Sequence, residues 1–267
     1  MQGEVTGKIV EVRGLKIGEG IPKICVPVMG TSVEALEKEA KKVLGFPADI
    51  VEWRVDFMEQ ACDIDAMLHC AEKLRKILGE LPLLFTFRTK EEGGESAIAL
   101  DDYIELNKAA AASGFVDLVD VEMFRGNSTL GADSDGRIQE LIAFVHSCKK
   151  AVIGSYHDFY KTPATDEIVS RLVHMEANGA DIPKIAVMPK NSVDVGRLLL
   201  STAQAKEKIS GPVITMAMAG KGSISRVSGE FFDSAVTFGC IEKSSAPGQM
   251  PVDELLQVLT ILHHSCE

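Results

Sequence analysis

Along the chain, short near-continuous apolar runs alternate with longer stretches in which apolar positions recur three and four apart. The runs are Lys23–Val28, Ile50–Val55, Leu83–Arg88, Leu118–Met123, Ala151–Tyr156, Ile182–Met188, Pro212–Met218 and Ala235–Cys240, which predict eight strands. Helical spacing follows from the N-cap Ser32 and from Asp63, then over Tyr103–Ala112, Ile138–Val145, Ile168–Met175, Val193–Ala205 and Val252–Leu262. Strands this apolar need cover on both faces, the condition of a parallel sheet wrapped by helices. Eight such units in a chain of 267 residues predict an α/β fold, a (β/α)8 TIM barrel. A doubly wound open sheet would want G-x-G-x-x-G after its first strand, where this chain has Met29-Gly30-Thr31-Ser32. Ahead of Lys23, Val5–Val12 and Leu15–Ile17 flank Arg13-Gly14, predicting an N-terminal hairpin within residues 1–22 that closes one end of the barrel. No Pro/Ser-rich linker or shift in composition divides the chain, which is therefore read as one barrel domain over residues 1–267.

Charge narrows the partners. With 39 acidic against 28 basic residues and a net charge of −11, the chain lacks the basic excess of a phosphate-tracking surface, so nucleic acid is not expected. No run reaches the roughly 18–20 apolar residues that span a bilayer, and the opening Met1-Gln2-Gly3-Glu4-Val5 does not resemble a signal peptide. A cytoplasmic protein is the expectation. Six scattered cysteines without C-x-x-C spacing are read as reduced thiols, and the closing His263-His264-Ser265-Cys266 as a frayed helix end.

In a barrel of this type reactive groups lie at the C-terminal strand ends. Alternation along Glu52-Trp53-Arg54-Val55-Asp56 sends Glu52, Arg54 and Asp56 to one face, toward the barrel interior. The run Leu83–Arg88 ends with Arg88 at the mouth, before a loop carrying Glu91-Glu92-Gly93-Gly94. His157, after Ser155-Tyr156, stands at the lip of the fifth run and suits general acid–base work. Lys184 sits among Ile182, Ile185, Ala186 and Val187, a tight apolar setting that favours a neutral, nucleophilic amine. The seventh run opens into Lys221-Gly222-Ser223-Ile224-Ser225-Arg226, a turn able to hold an anion, and the eighth into the polar loop Ser244–Gln249.

These segments, taken in order, resemble the type I 3-dehydroquinate dehydratase family. The resemblance runs from Gly18-Glu19-Gly20-Ile21-Pro22 through Glu52–Asp56, Thr86–Thr89, Ser155–Phe159, Pro183–Ala186, Met216–Met218 and Ile224–Arg226 to Ser245–Gln249. It implies syn dehydration of 3-dehydroquinate to 3-dehydroshikimate through a lysine imine, within the shikimate pathway. No metal or other cofactor is implied, and the assembly would be a homodimer. Carried over by position, Lys184 is the imine lysine, His157 the acid–base and Glu92 the carboxylate that orients it. Glu52, Arg54, Arg88, Arg226, Ser245 and Gln249 form the substrate-binding set. One position departs: Pro27 stands where some members carry a serine near the end of the first strand. Two other readings share part of this pattern. A class I aldolase barrel would also use a strand-six lysine but would cleave C–C bonds, and an inert barrel would only bind a polyhydroxy acid.

Overall fold

The computed structural model describes residues 7–125 and 136–266. Its first element is an antiparallel hairpin, β1 (Val10–Val12) and β2 (Leu15–Ile17), turning at Arg13-Gly14 with both residues at positive φ. Val5 and Thr6, part of the predicted hairpin, lie outside the described residues. Parallel strands and helices then alternate: β3 (Lys23–Val28), α1 (Val33–Val43), β4 (Ile50–Arg54), α2 (Ile64–Leu78), β5 (Leu83–Thr86), α3 (Leu100–Ala112) and β6 (Leu118–Glu122). The series continues with α4 (Gly136–Ser147), β7 (Ala151–Asp158), α5 (Thr165–Ala177), β8 (Ile182–Val187), α6 (Ser192–Lys206) and β9 (Ile214–Ala217). Two short helices, α7 (Ser223–Val227) and α8 (Gly229–Phe232), precede β10 (Val236–Cys240), β11 (Met250–Pro251) and α9 (Val252–His264).

Helix starts follow local chemistry: Ser32, Asp63 and Asn191 accept the backbone N–H groups of Ala35, Ala66 and Asp194, satisfying donors that the first turn leaves free. The sheet runs in the order β11-β10-β3-β4-β5-β6-β7-β8-β9. It curls until Val213 bridges Ser234, where the Ala235 N–H donates to the Val213 carbonyl at 2.8 Å, so the barrel closes on a seam shorter than its other joints.

Period-two alternation sorts each strand into an outer face packed on helices and an inner face stacked in layers. Ile50, Leu84, Leu118, Ile153, Ile182, Ile214 and Val236 form an apolar floor, and Val10, Val12 and Ile17 of the hairpin plug it from below. Above the floor the interior divides. Strands β4 to β8 place Glu52, Thr86, Asp120, Ser155 and Lys184 on the next layer, all buried, whereas β3, β9 and β10 keep Cys25, Met216 and Phe238 there. Outward, Trp53, Phe85, Val119 and Val187 join the helix-facing core.

The predicted strands and long helices are all present, with three local differences. Strand β4 stops at Arg54, and Asp56 lies in a 3-10 turn over Val55–Phe57 rather than on the inner face. The chain after β9 folds into α7 and α8, too short to show helical periodicity. At the C-terminus His263 is held, its Nδ1 lying 2.7 Å from Glu230. No helix among the described residues is long and apolar enough to cross a membrane.

Because Ile17 is fully buried against the floor, Ile17→Ala is expected to lower unfolding free energy by about 2–5 kcal/mol in urea denaturation. An unchanged midpoint would show that the hairpin plug is not part of the cooperative core.

Candidate active site

The mouth of the barrel is a cavity walled by Glu52, Arg54, Arg88, Glu92, His157, Lys184, Ser245 and Gln249, with Phe159, Ala186, Met216, Met218 and Phe238 completing it. Eight of the nine residues expected from the sequence are thus brought together. Arg226 is set behind the wall, 1% exposed, and Pro27 lines a separate cleft beside α1 with Lys38 and Lys42.

Lys184 projects from β8 into the interior and is 3% exposed, but its surroundings are not the apolar ones expected. Its Nζ lies 3.4 Å from Asp120 Oδ2 and 3.8 Å from Glu52 Oε1, and 4.5 Å from the centroid of the Phe238 ring. Alternation predicts only which face Lys184 occupies; the carboxylates come from β6 and β4, across the barrel.

Asp120 and Glu122 are the residues that sequence reasoning missed, although the same alternation that singled out Glu52 and Arg54 operates in Leu118-Val119-Asp120-Val121-Glu122. Both converge on Arg88. Its guanidinium donates to Asp120 Oδ1 at 2.8 Å, Glu122 Oε1 at 3.0 Å and Ser155 Oγ at 3.0 Å, and lies 3.5 Å from Glu92. Burial opposes the charge on Arg88, yet these carboxylates more than offset it and raise its pKa. Burial likewise works against ionised Asp120, but Arg88 and Lys184 hold it below the usual carboxylate range. Asp56, off the strand, clamps Arg54 with both oxygens, at 2.8 and 2.7 Å, and receives the Arg88 backbone N–H at 3.3 Å.

His157 is positioned by Glu92, whose Oε2 accepts the His157 backbone N–H at 3.0 Å and faces Nδ1 at 2.9 Å. This leaves Nε2 as the nitrogen to meet a ligand. Burial, reinforced by the positive charges of Arg88, Lys184 and Arg54, holds the imidazole pKa well below its ordinary value. Burial beside Glu122 pushes the Glu92 carboxyl well above the usual carboxylate range. The loop that carries Glu92 turns tightly: a Cβ on Gly94 would lie 1.9 Å from the Arg88 carbonyl oxygen.

Over the mouth, Ser245 and Gln249 hold each other, the Ser245 N–H donating to Gln249 Oε1 and the Gln249 amide to Ser245 Oγ, both at 2.9 Å. Pro247 between them accepts the Ala219 N–H at 3.0 Å and an Arg226 N–H at 3.1 Å. Ala219 adopts φ 59°, ψ 176°, a region normally reserved for glycine. The remaining Arg226 donors, Nε and Nη1, are buried without a partner, and burial lowers its pKa to about 10. The expected anion-binding turn is otherwise used internally, Ser225 Oγ donating to the Gly222 carbonyl and accepting the Ala217 N–H.

A buried lysine and a buried imidazole thus share this cavity, with the Arg226 guanidinium behind its wall. The family described as type I 3-dehydroquinase matches residues 24–266. The chain is 50% identical over 254 residues to a 3-dehydroquinate dehydratase of Listeria monocytogenes, covering 95% of this chain and 98% of the relative. This chain belongs to the type I 3-dehydroquinase family.

Solved dehydroquinases share its shape. A type I 3-dehydroquinate dehydratase from Clostridium difficile superposes with a TM-score of 0.91 at 47% identity, covering 97% of this chain and 99% of that one. The Geobacillus kaustophilus 3-dehydroquinate dehydratase gives 0.92 at 38% identity, covering 98% and 99%. The chain is accordingly an enzyme of the hydro-lyase class.

The electrostatics of this dehydroquinase site are directly measurable. Because burial and three cations oppose its protonation, His157 should take up a proton only well below pH 6.5. NMR of labelled imidazole is expected to show His157 neutral at pH 6, and a midpoint at or above 6.5 would contradict the described electrostatics. The sign for stability follows. Between the two pKa values the unfolded chain binds the proton that folded His157 refuses, so this residue makes stability fall as pH drops below 6.5.

Proposed function

We propose that the chain dehydrates 3-dehydroquinate to 3-dehydroshikimate through an imine on Lys184, serving the shikimate pathway. The observation that carries this reading is the buried Lys184 ammonium beside two carboxylates in the same cavity as an imidazole kept neutral. Asp120 Oδ2, at 3.4 Å, is the acceptor within reach for the ammonium proton that must leave before the amine attacks the ketone carbon. Loss of water from the carbinolamine gives an iminium, which draws electrons from the neighbouring C–H bond. His157 Nε2 takes that proton, forming an enamine. Electrons then return toward the ring and expel the hydroxyl one carbon further on, which leaves as water with the proton carried by the imidazolium. Hydrolysis of the conjugated iminium frees the enone and restores the amine. With one base on one face serving both proton transfers, the elimination is syn.

Arg226 supports the same reading from the other end of the substrate. Two unpaired buried donors on a cation form an incomplete site, and a carboxylate would complete it with charge-assisted hydrogen bonds. The relative from Clostridium difficile was solved with a covalently modified comenic acid, which accords with covalent chemistry on such a scaffold. We also read the working form as a cytoplasmic homodimer.

Borohydride added with substrate is expected to leave one adduct per chain, mapped to Lys184 by peptide mass spectrometry. Lys184→Ala should abolish both adduct and turnover. His157→Ala should still trap substrate mass on Lys184 while dehydration falls by about 10² to 10⁴-fold. Wild-type turnover in His157→Ala, or an adduct on another lysine, would refute the mechanism.

Arg226→Ala is expected to raise KM by roughly ten- to a hundredfold, the loss of about 1.5–3 kcal/mol from hydrogen bonds to a charged group. The imine should still form at saturating substrate. An unchanged KM would move the carboxylate contact to Arg54 or Arg88.

A further inference from the structure

The joint between β5 and β6 is unusual among the central joints of the barrel. Backbone pairing there ends after Leu84↔Leu118 and Phe85↔Val119, whereas β6 and β7 pair continuously from Leu118 to Glu122. Beyond Val119 the two strands therefore splay toward the mouth. The Met123 N–H turns to the Ser155 carbonyl of β7 at 3.0 Å, so strand alternation turns the Glu122 N–H and the Asp120 carbonyl toward the splayed side. Both would be buried there without a ladder partner.

A hydroxyl fills the gap. Tyr103 of α3, fully buried, accepts the Glu122 backbone N–H at 3.0 Å and directs its own O–H at the Asp120 carbonyl, 3.4 Å away. Its ring is fixed by the edge of Phe87 and by the Arg125 guanidinium 4.6 Å above its centroid. Tyr103 does not line the cavity. The segment it pins carries the two carboxylates on which the site turns: Asp120, against Lys184 and Arg88, and Glu122, against Arg88 and Thr89.

We propose that Tyr103 is a positioning residue for the dehydration, its hydroxyl standing in for the missing β5–β6 ladder bonds and fixing Asp120 against Lys184. The proposal rests on the imine reading above. A displaced Asp120 no longer aligns Lys184 toward the ketone carbon, which slows imine formation, while Arg226, Ser245 and Gln249 sit on other elements and keep their places.

The test is Tyr103→Phe, which deletes one oxygen and keeps the ring contacts. Its kcat is expected to fall about tenfold with KM within about twofold of wild type, the loss of one buried hydrogen-bonding group at the reacting centre. The rate at which borohydride-trappable adduct appears on Lys184 should fall by the same factor. In a double-mutant cycle with Asp120→Asn, Tyr103→Phe should cost little further, because the carboxylate it positions is already gone. Additive effects in the cycle, or wild-type kcat and trapping rate in Tyr103→Phe, would overturn the assignment and leave the imine reading intact. Failure to trap any adduct on wild-type Lys184 would overturn both.

Discussion

A guanidinium with almost no access to water governs the mouth of this barrel. Arg88 is 4% exposed, and a buried cation is tolerable only where carboxylates surround it closely enough to offset its lost hydration. Asp120, Glu122 and Glu92 do so from one strand and a loop, and each is thereby placed for another task. Asp120 turns its second oxygen to Lys184, Glu92 turns to His157, and Glu122 ties down Thr89. Removal of Arg88 would leave these carboxylates buried and mutually repelling. The position of Lys184, the tilt of the imidazole and the path of the 89–94 loop thus share one electrostatic cause.

The same crowding explains why His157 resists protonation. Cations near His157 oppose a second positive charge, so the ring is available as a base. Lys184 is held between Asp120 and Glu52, at 3.4 and 3.8 Å. At the rim, Arg226 occupies a site of the opposite kind, a buried cation that donates to the Pro247 carbonyl at 3.1 Å and faces no carboxylate among the described residues. The strained Ala219, fastened to that same carbonyl, ties the end of β9 to the loop above the cavity.

Much of this was legible in the sequence because a strand's side chains alternate with no freedom to do otherwise. The inward placement of Glu52 and Arg54 follows from that rule, and the long helices follow from apolar positions three and four apart. What escaped were relations between strands. Lys184 reads as a lone charge in an apolar run, and only the curl of the sheet brings Asp120 and Glu52 to it. Asp120 and Glu122 carried the same signal as Glu52 and went unused, since an acidic pair within a strand does not announce its partner. Asp56 was assigned to the inner face because alternation was extended past the point where β4 turns into a 3-10 segment. Tyr103 gave no sign at all, its role arising from a gap in pairing that exists only once β5 and β6 are assembled.

The division of the interior into a polar side, β4 to β8, and an apolar side formed by β9, β10 and β3 has an evolutionary consequence. The reagents belong to one contiguous stretch of chain, residues 50 to 187, in which each charged group depends on several others, so that single replacements there are heavily coupled. Met216, Met218 and Phe238 carry no ionisable group and contribute shape, Phe238 meeting the charged set only through its ring, 4.5 Å from Lys184 Nζ. A lineage could therefore remodel the outline of the ligand it accepts by drift on one wall while its chemistry stays frozen on the other. Variation among relatives at these three positions would record changes of fit, and variation between Glu52 and Lys184 would mark a change of reaction.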